Sequence, residues 1–182
     1  MIDLAIEVAM KAQHKQLRKG TSIPYVTHPL AVGIMLAKIG CSDEVIVAGI
    51  LHDTVEDTDI TLDYIRDTFG NQVVKIVEGA SEPEKTLPWK DRKKHTIEFL
   101  KTAPLEVRLV ACADKLHNIN SIATDHKNIG DKIWDRFNRG KEDQKWYYRG
   151  IVNALCNGSY NSDHWNLFQQ LRNNVEEVFP KI

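Results

Sequence analysis

Apolar residues recur at intervals of three and four along most of the chain, which is the period of an amphipathic helix. Leu4, Val8 and Ala12 follow this spacing and predict a first helix that ends near Gly20. Prolines, glycines and capping residues divide the rest into further predicted helices at 29–38, 43–55, 61–69, 71–81, 89–101, 105–123, 141–156 and 160–179. The polar stretch 124–140 is predicted to be irregular. Because strand-like alternation is nearly absent, we expect one all-α domain over residues 1–182.

The composition narrows the class of protein. Of 182 residues, 42% are hydrophobic and 27% are charged, which is typical of a globular chain and excludes a disordered or collagen-like one. The net charge of -1 gives no general attraction to nucleic acid or to anionic membranes. The start of the chain has no basic segment followed by an apolar one, so no secretory signal is expected. Cys41, Cys112 and Cys156 lack metal-site spacing and are expected to be reduced thiols of a cytoplasmic protein.

Two helices place a carboxylate where the apolar stripe should continue. In the third predicted helix, Ile46 and Ile50 are followed at the next stripe position by Asp53. In the helix after Pro104, Val107 and Val110 lead in the same way to Asp114. A buried carboxylate is costly without a compensating partner, and a divalent cation is the strongest partner available.

The positions of nearby acidic residues and histidines also favour a divalent cation site. Residues 43–67 hold eight acidic side chains and one basic one, and they include the run His52-Asp53-x-x-Glu56-Asp57. Glu56 lies four residues after His52, on the same side of a helix. His28, just before a helix that begins with Pro29, is a further candidate. Two imidazoles and two carboxylates suit manganese or iron(II), and zinc would accept the same ligands.

The ordered set of His28, His52-Asp53 and Asp114 resembles the HD-domain metal-dependent phosphohydrolases. The surrounding motifs resemble the hydrolase domain of the RelA/SpoT alarmone enzymes, and since no synthetase domain follows, the likeness is to the stand-alone (p)ppGpp hydrolases, including the metazoan SpoT homologue type. The matching motifs lie within residues 1–120 and are Arg18-Lys19-Gly20, Pro24-Tyr25-x-x-His28-Pro29-Leu30, Leu51-His52-Asp53-Thr54-Val55-Glu56-Asp57-Thr58, Phe69-Gly70 and Ala113-Asp114-Lys115-Leu116-His117-Asn118. The helices expected within 141–182 lie beyond this part.

The resemblance implies a single HD-domain helical bundle and manganese-dependent hydrolysis of the 3′-pyrophosphate of (p)ppGpp to GDP or GTP and pyrophosphate. It also implies a role for each matching residue. The metal ligands would be His28, His52, Asp53 and Asp114. Glu56 and Asp57 would activate the attacking water. Arg18, Lys19, Lys115, Asn118 and Tyr147 would line the nucleotide pocket, and the partner would be a small-molecule nucleotide bound by a monomer or small homo-oligomer.

Some features differ from this pattern and leave alternatives open. Trp89 stands where the metazoan enzymes are basic, and it is either a packing residue at a helix start or part of the pocket. Residues 85–94 have a local net charge of +4, which predicts either a solvated helix face or a surface for approaching phosphates. Residues 124–145 have no clear counterpart. The alternatives are therefore an HD enzyme for another nucleotide, such as a nucleoside phosphate or NADPH, and a non-catalytic nucleotide sensor.

Overall fold

The computed structural model describes residues 1–82, 86–156 and 164–180. Ten α-helices and one 3-10 helix occur among them, and their only strand-like pairing is an isolated bridge between Leu17 and Pro24. The α-helices are α1 Ile2–Ala12, α2 Thr27–Lys38, α3 Asp43–Leu51, α4 Thr54–Asp57, α5 Leu62–Phe69, α6 Asn71–Ala80, α7 Trp89–Leu100, α8 Leu105–Ile129, α9 Lys141–Cys156 and α10 Trp165–Val178. The 3-10 helix spans Gly130–Arg136. The all-α prediction is confirmed.

Most predicted helix ends agree with the structure within a few residues, and Thr61 caps α5 by accepting a hydrogen bond from the Tyr64 amide at 3.1 Å. The predicted end of the first helix was wrong, since α1 stops at Ala12. Beyond it, the Arg18 amide donates to the Ile23 carbonyl at 2.8 Å, and the Tyr25 amide donates to the Gln16 carbonyl at 2.8 Å. Gly20 reverses the chain between them with a φ of 72°. These cross-turn bonds take the place of further helical turns.

The third predicted helix is also shorter than expected. It ends at Leu51 rather than Val55, and the short helix α4 follows from Thr54. The Thr54 hydroxyl donates to the Leu51 carbonyl at 2.7 Å, a local bond that competes with the helical pattern. The break turns His52 and Asp53 out of the regular helix. The last predicted helix began at 160, but residues 160–163 lie outside the described part.

The prediction that 124–140 is irregular was wrong for 124–136 and is confirmed for 137–140. Helix α8 continues to Ile129, and the 3-10 helix follows directly. Ile133 and Trp134 are buried, which supplies the apolar anchor that holds this segment against the bundle. Asp131 accepts hydrogen bonds from Trp134 Nε1 and Lys141 Nζ, both at 3.1 Å, and so links the 3-10 helix to α9.

Helix α3 lies at the centre of the bundle, where all residues from Val45 to Leu51 are buried. Helices α2 and α3 approach closely because glycine occupies the contact on both sides. A Cβ on Gly49 would lie 2.4 Å from Leu36 Cδ1, and a Cβ on Gly33 would lie 2.6 Å from Ile50 Cγ1. Among the described residues, every helix lacks either the length or the apolar character of a membrane span.

Candidate metal centre and adjoining cavities

Three helical elements bring the predicted metal ligands together. His28 comes from the first turn of α2, His52 follows the end of α3, and Asp114 lies in the middle of α8. One ligand atom from each of these buried residues lies within 4.8 Å of the other two. Residues far apart in sequence therefore meet at one point, as the interrupted apolar stripes predict.

Asp53 lies beside this group of three, against its two histidines. Its Oδ2 lies 3.1 Å from His52 Nε2 and 3.6 Å from His28 Nε2. Asp114 Oδ1 lies 3.2 Å from His28 Nε2 and 3.9 Å from His52 Nε2. Ligands that share one ion at about 2.0–2.2 Å lie about 3–4 Å from one another, so these separations suit a single divalent metal ion.

The protonation of His52 supports the same fit. Its Nδ1 lies 2.8 Å from the Gly49 carbonyl, which can only accept, so Nδ1 holds the proton. The buried Nε2 then points at Asp53 and Asp114 and makes no hydrogen bond. Burial lowers the pKa of His52, but the two carboxylates outweigh it and raise the pKa to about 9. The site therefore favours positive charge at the position where a cation would bind.

His28 is oriented by a second histidine. His28 Nδ1 lies 2.8 Å from His117 Nδ1, so one of the two donates and the other accepts. Burial, with His28 and Arg18 nearby, lowers the pKa of His117 to about 4, and burial also lowers the pKa of His28. Both rings are then neutral near pH 7. A proton on His28 Nδ1, shared with His117, leaves His28 Nε2 free to bind a metal.

Both carboxylates also accept hydrogen bonds from neighbouring side chains. The Tyr25 hydroxyl donates to Asp53 Oδ2 at 2.5 Å. Asp114 accepts from Lys115 Nζ and from Asn118 Nδ2, each at 2.6 Å. Burial opposes ionisation of Asp114, but the Lys115 charge and the two histidines hold its pKa well below the usual range. Both carboxylates are thus ionised and fixed in direction.

Glu56 and Asp57, the acidic pair that follows the cluster, lie in different environments. The Glu56 side chain lines the cavity beside the metal cluster, and its Oε1 accepts from the Glu82 amide at 2.6 Å. Burial raises the pKa of Glu56, and the nearby Asp53 adds to this. Asp57 is exposed at the end of α4, and its carbonyl accepts from Gln16 Nε2 at 2.7 Å. Of the two, Glu56 is the residue whose carboxylate lies beside the metal cluster.

Two cavities meet beside the metal cluster. The first, of about 610 Å³, includes the cluster together with Glu56, Lys93, Lys115 and Tyr147. The second, of about 590 Å³, is lined by the predicted Arg18 and Lys19. Tyr25 and Asn118 line both, so these two side chains form the wall between them. Arg18 Nη2 donates to Asn118 Oδ1 at 3.1 Å, which ties the second cavity to the wall.

A third, smaller cavity of about 220 Å³ adjoins Lys93, Lys115 and Tyr147. Its described lining contains cations and aromatic rings but no carboxylate; it consists of Lys19, Trp89, Lys93, Lys115, Phe137, Asn138, Arg139, Gln144, Tyr147 and Tyr148. Trp89 packs at the start of α7 with its ring 6.2 Å from Trp146 and 6.1 Å from Tyr147. The packing role predicted for Trp89 is thus present, and its ring also faces a cavity.

Some residues of the site were missed by sequence reasoning. Tyr25 and His117 stand in recognised motifs but had no assigned contact, although the position of His117 three residues after Asp114 could have indicated a shared face. Glu82 and Arg136 gave no local signal. Arg136 lies over Gly20, where an added Cβ would be 2.7 Å from Arg136 Cδ, and its guanidinium donates to Asp125 at 2.6 Å. Arg136 thereby braces the turn that carries Arg18 and Lys19.

The fold and the histidine–aspartate cluster define an HD-domain protein, and the chain belongs to that family. The model of the family described as "HD domain" matches residues 5–137. The family implies a divalent metal, and the group of His28, His52 and Asp114 is able to hold one. The predicted family is therefore confirmed.

Individual relatives agree with this assignment. The chain is 39% identical over 121 residues to the human guanosine-3′,5′-bis(diphosphate) 3′-pyrophosphohydrolase MESH1, covering 65% of this chain and 67% of that protein. The crystal structure of lmo0812 from Listeria monocytogenes EGD-e superposes with a TM-score of 0.80 at 42% identity, covering 85% of this chain and 99% of the other. A metazoan ortholog of SpoT that hydrolyses ppGpp superposes with a TM-score of 0.75 at 25% identity, covering 94% of each chain. Against three other curated relatives, from Aquifex aeolicus, Mycobacterium leprae and Arabidopsis thaliana, the chain spans only 16–18% of the relative's length.

Proposed function

We propose that this protein hydrolyses the 3′-pyrophosphate of (p)ppGpp and releases GDP or GTP and pyrophosphate, with Mn²⁺ as the metal. The observation that supports this most directly is the cluster of His28, His52, Asp53 and Asp114, which lines the first cavity close to the second. The ppGpp hydrolysis named for the metazoan SpoT ortholog supports the choice of substrate. The mixed nitrogen and oxygen ligands support manganese.

The residues divide the substrate between the cavities. The 3′-pyrophosphate lies in the first cavity, where Lys93 and Lys115 offset its charge, and Tyr147 closes the wall beside them. The nucleoside lies in the second cavity, against Arg18, Lys19 and Asn118. His28, His52, Asp53 and Asp114 would hold a divalent ion, which would polarise a phosphoryl oxygen and lower the pKa of a bound water.

Glu56 takes the proton of the attacking water. Its carboxylate faces the cavity of the metal cluster, and burial raises its pKa, which favours a proton acceptor that works near neutral pH. The hydrogen bond from the Glu82 amide to Oε1 restricts the orientation of the Glu56 carboxylate. Asp57 is proposed as the acidic neighbour that keeps this end of the site negative.

We also propose that residues 1–182 act as a single domain on a free nucleotide in the cytoplasm, as a monomer or small homo-oligomer. The near-balanced charge supports a small-molecule partner over nucleic acid or a membrane surface.

Product analysis tests the proposed reaction. Purified protein with Mn²⁺ and ppGpp is expected to yield GDP and pyrophosphate in equal amounts, and Asp53→Ala, which lacks one proposed ligand, serves as the blank. Turnover in the blank equal to wild type would overturn the ligand assignment. No turnover by wild-type protein with metal bound would overturn the substrate and direct the assay to other phosphorylated nucleotides, NADPH among them.

A second experiment tests the role of Glu56. Glu56→Gln keeps the shape and the bond from the Glu82 amide but removes the base, so kcat is expected to fall by roughly 10²–10⁴-fold while metal affinity stays unchanged. Asp57→Asn is the matched control, because it removes the adjacent charge from an exposed position. A larger loss of kcat in Asp57→Asn than in Glu56→Gln would show that the base is misassigned.

A further inference from the structure

Glu82 places a negative charge against Lys93, a cation of the first cavity, and against the neighbouring Arg92. We propose that the Glu82 carboxylate occupies the phosphate-binding position of Lys93 in the substrate-free protein and is displaced by the phosphates of the substrate. This inference rests on the proposed function for the identity of the natural ligand, but its anion-binding part is open to a separate test.

The Glu82 carboxylate contacts two cations, Arg92 and Lys93, and all three side chains are partly buried. One oxygen accepts from Arg92 and the other accepts from Lys93. The side chain of Glu82 is 13% exposed, and those of Lys93 and Arg92 are 17% and 23% exposed. Partial burial strengthens these charge-assisted bonds relative to a surface pair. The three groups therefore form a defined cluster and not a loose surface contact.

Of these two cations, Lys93 is the one that phosphates in the cavities would meet. Lys93 lines both the first and the third cavity, and Lys115, which also lines both, is already paired with Asp114. Glu82 lines the first cavity beside the metal cluster and Glu56. A phosphate that approaches Lys93 must therefore compete with the Glu82 carboxylate for the same N–H groups. With Glu82 in place, the Arg92–Lys93–Glu82 cluster has a net charge of +1, and without that carboxylate the charge is +2.

Displacement of the carboxylate need not disturb the proposed base. Glu56 is held by the backbone amide of Glu82, whereas Arg92 and Lys93 are held by its side chain. The glutamate side chain can move to another rotamer while the backbone stays fixed. We therefore expect Glu82 to weaken the binding of substrate and product anions while leaving the chemical step unchanged.

The direct test measures binding of inorganic pyrophosphate to the manganese-loaded protein by calorimetry. Glu82→Gln is expected to bind pyrophosphate about tenfold more tightly, because one repelling charge close to the anion is lost. Glu98→Gln is the matched control, since Glu98 lies on the exposed face of α7, where it pairs with Lys101 at 2.7 Å, and is expected to match wild type. Unchanged or weaker binding in Glu82→Gln would overturn the proposal.

Kinetics give a second readout that a merely structural role would not produce. With ppGpp, Glu82→Gln is expected to lower KM about tenfold at unchanged kcat, whereas loss of structure would lower kcat. If Glu82→Gln does not fold, Glu82→Thr removes the same charge with a smaller side chain and the same outcomes apply. Absence of ppGpp turnover in wild type would refute the proposed function alone, because the pyrophosphate titration still decides the role of Glu82.

Discussion

The close approach of α2 and α3 at Gly49 sets the distance between two proposed metal ligands. Replacing Gly49 by Ala puts a Cβ 2.4 Å from Leu36 Cδ1 and 3.3 Å from Val32 Cγ1. The first separation is about 1 Å short of ordinary van der Waals contact. Leu36 and Val32 are both fully buried, so neither has room to withdraw. We expect α2 to move away from α3.

The expected cost has two opposing parts. Overpacking of a dense core costs about 1–3 kcal/mol, and replacing glycine by alanine within a helix returns about 1 kcal/mol. Gly49→Ala should therefore lower the free energy of unfolding by about 0–2 kcal/mol. Because the Gly49 carbonyl also orients His52, and α2 carries His28, the ligand spacing should change and metal affinity should fall about 10–100-fold.

Urea denaturation of the metal-free protein measures the stability, and calorimetric titration with Mn²⁺ measures the affinity. Gly150→Ala provides the matched control, since its Cβ would lie equally close, 2.4 Å, to Ile97 Cδ1 at the packing of α7 on α9. That variant should lose stability and keep metal affinity. Equal metal affinity in Gly49→Ala and wild type would refute the claim that the glycine contact sets the ligand spacing.

Two further predictions concern other contacts. His117→Phe removes the partner of His28 Nδ1 and should weaken Mn²⁺ binding about 10–100-fold. His117→Gln keeps an acceptor and should restore the affinity. Titration calorimetry checks both variants, and full affinity in His117→Phe would contradict the prediction. Hydrogen bonds from His126, Lys141 and Trp134 lower the pKa of Asp131 from 3.8 to about 2. Asp131 therefore stabilises the fold above pH 3.8, and this contribution is lost as the pH falls to about 2. Melting temperatures of Asp131→Asn should lie below wild type at pH 5 and converge near pH 2, while a pH-independent gap, or the same gap in Asp135→Asn, would refute the assignment.

The metal cluster could be predicted from sequence because its residues break a regular pattern. Asp53 and Asp114 stand where an apolar stripe should continue, and a buried carboxylate demands a partner. Glu56 follows from its helical spacing to His52. These signals are local, and each lies within one or two turns of a single helix.

The walls of the cavities could not be predicted in the same way. Arg136 reaches Gly20 and Glu82 reaches Lys93 only through the folded chain, and neither contact has a spacing rule. The 3-10 helix was missed because its apolar anchors, Ile133 and Trp134, are adjacent residues without helical repetition. The turn at Gly20 was missed because its cross-turn backbone bonds are independent of side-chain pattern.

Helix α8 carries residues of both the metal cluster and the second cavity. Asp114 lies near its middle, and Asp125, which pairs with Arg136 in the second cavity, lies eleven residues further on. At 1.5 Å per residue, about 16 Å of continuous helix separates the two positions. Substitutions at the far end can therefore reshape the second cavity, where we propose that the nucleoside binds, while the proposed metal ligands keep their geometry. For protein engineering, the shape of this cavity and the geometry of the metal cluster are in this way separable properties of the same helix.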